Sequence, residues 1–239
     1  MKTPRTPKGF TLIELLVVIG IIALLASIAV PAFTGVQIRA AQTKALSNAK
    51  QIGLACKQFA IDNNGLYPTY QWSTSGTGNT LAATSTQAFE NLFPTYLTTI
   101  SLFYLAKSPF TPGNQPPDPS PASMSAGTAL ATSGQNEWAY VTGLYDTSNS
   151  TFPLIADGFN SVSGHTYTNS ETTVGGVWKG AQAIVIFADD SGKVMKTNGT
   201  TYTVPGSPNG QDLFDTSGQS GWMTAPSGSI GGQTVVNPQ

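Results

Sequence analysis

The chain predicts an α+β fold, with a long amino-terminal α-helix packed on a small antiparallel β-sheet of three or four strands. Three observations carry that expectation. An apolar run fills positions 10–33, and an apolar stripe at helical spacing continues to about position 61. Four short segments rich in β-branched and aromatic residues then cluster between positions 138 and 196, separated by turn-forming sequence.

The first element reads GFTLIELLVVIGIIALLASIAVPAF from Gly9, and its single charge is Glu14. The run exceeds the about 20 residues needed to cross a bilayer core as a helix. Lys2, Arg5 and Lys8 precede it with no acid between them, so the positive-inside bias places residues 1–9 in the cytoplasm and sends the rest outward. A carboxylate inside such a helix is costly and is expected only where a partner compensates it. Pro31 removes an amide donor and crowds the preceding turn, which predicts a bend or loosening there. Gly20 is a second weak point, costing about 1 kcal/mol relative to alanine in a helix interior, and close helix packing explains it equally well. An ordinary secretory signal has a shorter apolar region of about 7–15 residues with its cleavage site on the far side, which Ala26–Ala29 imitates. The junction that stands out here is instead Gly9–Phe10, on the cytoplasmic side.

KGFTLIELLVVIGIIALLASIAVPAF resembles the leader and amino-terminal helix of type IV pilins and type II secretion pseudopilins. The resemblance implies a pilin-like fold, and a prepilin peptidase that cuts between Gly9 and Phe10 and N-methylates Phe10. It implies that Glu14 meets the charged terminal amine of a neighbouring subunit as a filament grows, and that Pro31 is the proline that kinks the helix. Opposite charges in an apolar bundle attract strongly but lose hydration, so the net gain is small, whereas a misregistered subunit leaves a charge uncompensated. Glu14 therefore reads as a register device.

From Thr34 the sequence turns polar but keeps a stripe of Ile38, Ala41, Ala45, Ala49, Ile52, Cys56 and Phe59, with Arg39, Lys44, Lys50 and Lys57 off the line. One helix from about Phe10 to Ile61 is predicted. Asp62-Asn63-Asn64-Gly65 ends it, and Pro68 prevents early re-entry. The segment DNNGLYP also resembles the family's sequence at this point. Residues 73–87 read as a low-complexity loop, and Ala88 to Leu105 as a short helix interrupted at Pro94 and followed by an extended piece. The Pro-rich stretch within 107–135 reads as a surface insertion. Strands are expected at Trp138–Leu144, Phe152–Asp157, Ala183–Ala188 and Lys193–Lys196, the last two forming a hairpin about Asp189-Asp190-Ser191-Gly192. An edge strand is expected near Thr201–Val204, with a Gly/Ser-rich tail after it. GQNEWAYVTGLYD, FPLIADGF and VWKGAQAIVIFADDSGKV look like the carboxy-terminal half of a major-type pseudopilin. The resulting organisation is a leader at 1–9, a transmembrane or filament-core helix at 10–33 and its amphipathic continuation at 34–64. A variable loop region at 65–135, the sheet at 136–204 and the tail at 205–239 complete it.

Composition narrows the function. Charged residues are 10% of the 239, well below the about 25% of typical soluble domains. With Lys2, Arg5 and Lys8 removed, acidic residues outnumber basic ones, and no nucleic-acid groove is implied. Cys56 is the only cysteine, so the carboxy-terminal disulfide loop of many type IV pilins is not available, which favours a pseudopilin. Its place on the apolar stripe reads as core. The chain lacks a nucleophile-elbow Ser motif, a phosphate-binding Gly-Lys loop, a paired-His zinc motif and paired Cys motifs, and no enzyme activity is expected. His165, the one histidine, reads as a solvated loop residue. No cofactor is expected; calcium alone stays open, with Asp157, Asp189 and Asp190 in turns as candidate ligands, although no spacing maps onto the calcium loop of some major pseudopilins.

The expected role is a structural pseudopilin anchored once in the inner membrane, its amino terminus cytoplasmic and its head periplasmic. Its expected partners are copies of itself, other pseudopilins, prepilin peptidase, the inner-membrane assembly platform and, before assembly, membrane lipid. A type IV pilin for adhesion, motility or DNA uptake is the alternative. From another class comes a secreted carbohydrate-binding module, whose platform would use Trp72, Trp138, Trp178 and Trp222.

Overall fold

The computed structural model describes residues 9–71, 80–113, 127–130, 133–206, 212–216 and 233–238, with the side chains of positions 31 and 32 outside the description. Lys2, Arg5, Lys8, Trp72, Trp222 and most of the Pro-rich insertion lie outside the described residues. The chain divides into two compact units, Met1–Thr43 and Lys44–Gln239.

Helix α1 runs Leu12–Asp62 and is the one described helix long and apolar enough to cross a membrane. It closes as the sequence predicts. Asn64 and Gly65 take φ of 54° and 81°, and the Gly65 amide donates to the Ala60 carbonyl at 2.8 Å, satisfying an end-of-helix acceptor.

In the second unit, Ala45, Ala49, Ile52, Ala55, Cys56 and Ala60 of α1 are buried. Ile38 and Ala41, which share the predicted stripe, are exposed. They precede Lys44, where the second unit begins.

Five strands form one antiparallel sheet: β1 (Trp138–Thr142), β2 (Pro153–Asp157), β3 (Gln182–Phe187), β4 (Gly192–Lys196) and β5 (Thr234–Val236). Their order is β4-β3-β2-β1-β5. The first four lie where the sequence places them, and the fifth exceeds the predicted three or four. β5 comes from the Gly/Ser-rich tail and pairs with β1 through Tyr140↔Val236. The edge strand expected at Thr201–Val204 does not form. That stretch is irregular, and the Val204 carbonyl instead accepts the Leu213 amide at 2.8 Å. The added strand is instead Thr234–Val236, whose β-favouring residues complete the edge of the buried β1.

The β3–β4 turn packs directly on α1. A Cβ added to Gly192 would lie 2.8 Å from side-chain carbons of both Leu46 and Lys50, so a larger residue there would have to displace the ends of those side chains. The short helix expected from Ala88 is α2 (Ser85–Phe89), which starts three residues earlier, inside the stretch read as loop, and is followed by 3-10 turns at Glu90–Leu92 and Ser101–Phe103. Thr84 caps α2 by accepting the Gln87 amide at 3.3 Å. Phe89 then packs at 4.9 Å from Tyr140 and 5.2 Å from Phe103, ring centre to ring centre.

Candidate functional site

The amino terminus of α1 carries the site. Thr11 is its N-cap and Glu14 the third helical residue, the spacing of a capping box. The Thr11 amide and hydroxyl both donate to Glu14 Oε2 at 2.8 Å, and the Glu14 amide donates to Thr11 Oγ1 at 3.3 Å. The acid therefore has a partner within its own chain. It also lies where the positive end of the helix dipole favours a carboxylate. The sequence reading of an acid in need of a partner missed Thr11, although Thr-Leu-Ile-Glu is the sequence signature of such a box.

Beyond Glu14, every large apolar side chain from Leu15 to Phe33 is exposed, as are Phe10, Leu12 and Ile13 before it. The hydroxyls within this segment are satisfied locally: Ser27 donates to the Leu24 carbonyl at 2.8 Å and Thr34 to that of Val30 at 3.4 Å. Such bonding back to the preceding turn leaves an apolar outer surface that lipid or another helix can cover. Gly9 and Phe10 are exposed just ahead of the cap. A Cβ at Gly20 would meet nothing within 4 Å, so packing within the chain does not account for that glycine. Position 31 falls inside α1, and the Pro31 side chain lies outside the description.

The other sequence-selected residues are placed apart from this site. Asp157 ends β2 and is fully buried, whereas Asp189 and Asp190 form the β3–β4 turn. Asp189 accepts the Ser191 amide at 2.8 Å, and hydrogen bonds from Ser191 hold its carboxyl below the ordinary value. Among the described residues no three His, Cys, Asp or Glu side chains gather as a metal-ion group. Trp138 is wholly buried and donates to the Leu102 carbonyl at 3.0 Å, which removes it from any sugar platform. Trp178 donates to Asp157 Oδ2 at 2.9 Å. Cys56 is a core residue, and burial pushes its thiol up. His165 is not a solvated loop residue: its Nδ1 lies 2.5 Å from Asp212 Oδ2, and its ring stands edge-on to Phe159. A partner 47 residues away, in another irregular segment, left no local signal.

Residues 4–30 match the family model described as the prokaryotic N-terminal methylation motif. The chain has a prepilin-type amino terminus. It is 48% identical over 56 residues to the type IV major pilin protein PilA of Myxococcus xanthus, covering 23% of this chain and 25% of that one. It is 43% identical over 65 residues to type II secretion system core protein G of Aeromonas hydrophila, covering 27% and 45%. A third relative, prepilin peptidase-dependent protein D of Escherichia coli, is 44% identical over 59 residues, covering 25% and 40%. The chain thus spans between a quarter and a half of the length of these curated relatives. No solved structure matches. Together the prepilin-type motif, the long apolar helix and the five-stranded antiparallel sheet describe a pilin-like α+β fold whose amino-terminal part is similar to type IV pilins and type II secretion pseudopilins.

Proposed function

We propose that the chain is a structural, non-enzymatic subunit of a type II secretion-type filament. The observation that carries the reading is an exposed apolar helix whose amino-terminal part, through residue 30, lies within a prepilin-type motif. In this reading prepilin peptidase cuts between Gly9 and Phe10 and N-methylates Phe10. The helix first resides in the inner membrane with its amino terminus in the cytoplasm. It is then drawn into a filament with copies of itself and other pseudopilins on an assembly platform. There lipid is exchanged for neighbouring helices, and the Phe10 amine of one subunit meets Glu14 of another. Filament growth in the periplasm then drives protein export. Lone Cys56, buried in the core, supports this reading over an adhesive pilus closed by a carboxy-terminal disulfide.

Mass spectrometry of the mature amino terminus from native membranes is the first test. The expected peptide begins at N-methylated Phe10; a terminus beyond Ala26 would establish ordinary signal cleavage and overturn the reading. Glu14→Ala is expected to leave insertion and leader cleavage intact while depressing filament yield, and a normal yield would sink the pairing role. The similarity to a type IV major pilin sustains a second reading, a type IV pilus. Immunogold labelling of long surface fibres would favour it, whereas short periplasmic filaments whose loss blocks export favour the first.

A further inference from the structure

Two carboxyl groups lie inside the second unit without a counter-charge. Glu137 and Asp157 are each 0% exposed. Among the described residues the ion pairs are His165–Asp212 and Lys179–Glu171, and neither buried acid takes part in one. Each has one engaged oxygen and one orphan. Glu137 Oε2 accepts the Ser108 hydroxyl, and Asp157 Oδ2 accepts the Trp178 indole at 2.9 Å and the Ile184 amide at 2.6 Å. Glu137 Oε1 and Asp157 Oδ1 have no hydrogen-bond partner. The backbone fixes the two acids as neighbours, because Trp138 pairs with Asp157 and the Gly158 amide donates to the Glu137 carbonyl at 2.9 Å.

Asp157 is also where the β2–β3 connection, residues 158–181, is tied to the sheet. Trp178 reaches its carboxylate and the Tyr167 hydroxyl its backbone carbonyl, the latter at 3.2 Å. The titratable groups facing the pair are Tyr167 and, behind it, Asp212 with its partner His165. Lys50 and Lys57 of α1 act on the Asp189–Asp190 turn instead. Two ionised carboxylates in this setting repel one another and leave two orphan oxygens dehydrated; a proton on either removes the repulsion, and protons on both also remove the cost of the buried charges.

We propose that Glu137 and Asp157 form a proton-dependent buried pair: the second unit is most stable while the pair keeps its protons, and losing them as pH rises destabilises that unit. Burial pushes Asp157 up to about 7 and Glu137 well up, with Asp157 raising Glu137 further. Both folded values exceed the unfolded ones, so the folded state binds more protons. The stability contributed is complete below the unfolded carboxylate value of about 4 and is lost as pH climbs towards neutrality.

The test uses the full chain in detergent micelles. The wild-type melting temperature is expected to fall by several degrees from about pH 5 to about pH 8, and Asp157→Asn to remove most of that fall. A wild-type melting temperature equal at the two pH values, or an Asp157→Asn chain with the wild-type slope, overturns the proposal. Should Asp157→Asn fail to fold, carbon-13 carboxyl resonances of the wild type decide. Asp157 titrating near neutrality is the expected result, and a midpoint near 4 overturns it.

Discussion

Gly53 lies where α1 meets the β3–β4 hairpin, and Gly53→Ala measures what that close approach is worth. A Cβ there would lie 2.7 Å from Asp190 Oδ1 and 3.2 Å from Ile186 Cγ2. An unstrained contact needs about 3.5 Å, so the first neighbour is roughly 0.8 Å too close and the second roughly 0.3 Å. Neither yields easily. Ile186 is fully buried on an interior strand, and Asp190 Oδ1, although it has no hydrogen bond to hold it, is itself buried and can turn aside only within the packed interface. Against the crowding stands the gain of replacing glycine in a helix interior, about 1 kcal/mol. Overpacking of a well-filled core costs about 1–3 kcal/mol, so crowding wins by about 1 kcal/mol. For a unit of this size that lowers the melting temperature by about 2–4 °C. The assay is near-ultraviolet circular dichroism of the full chain in detergent, with Gly20→Ala as control, since its Cβ meets nothing within 4 Å. A Gly53→Ala chain that melts at or above the wild type would refute the reasoning, because it would mean the helix is not held against the hairpin.

Two further outcomes follow from the same geometry. Thr11→Val removes the hydroxyl that bridges the Glu14 carboxylate and amide, and filament yield should drop partially, with Thr11→Ser restoring it; a yield unchanged in Thr11→Val would count against a role for the cap. Cys56 is wholly buried with its thiol pushed up, so iodoacetamide at about pH 8 should leave the native chain unmodified and label it in urea; native labelling at the rate of an exposed thiol would remove Cys56 from the core.

What the sequence made legible was periodic. Ala45, Ala49, Ile52 and Cys56 recur at helical spacing and are buried, and the β-branched runs at 138–142, 153–157 and 182–187 are strands. Both were readable because one apolar face repeats over several residues. The features missed are local pairings or distant ones. Thr11–Glu14 and Thr84–Gln87 are two capping arrangements of the same Thr-x-x-acid-or-amide form, one hidden inside an apolar run and the other inside a low-complexity stretch. His165–Asp212 and β1–β5 join segments whose neighbours in sequence are Gly, Ser and Thr, so nothing periodic announces them. The buried acids escaped for a further reason: Glu137 and Asp157 border strands, where an acid ordinarily reads as a turn residue, and only the fold shows that both point away from solvent.

The capping box changes what Glu14 has to do in the proposed filament. An acid with no partner would have to be neutralised before the helix could rest in lipid, and assembly would then have to recharge it. Here both Thr11 donors converge on Oε2, and among the described residues none reaches Oε1. The cap therefore holds the carboxylate at the helix end with one oxygen left for an incoming ammonium, so the pairing with Phe10 of a neighbour adds to the cap and need not displace it. This is why the two substitutions should differ in degree. Glu14→Ala removes the charge itself, whereas Thr11→Val keeps the charge and the amide bond but loses the hydroxyl that helps aim the carboxylate, which a hydrogen-bonding serine at position 11 can restore.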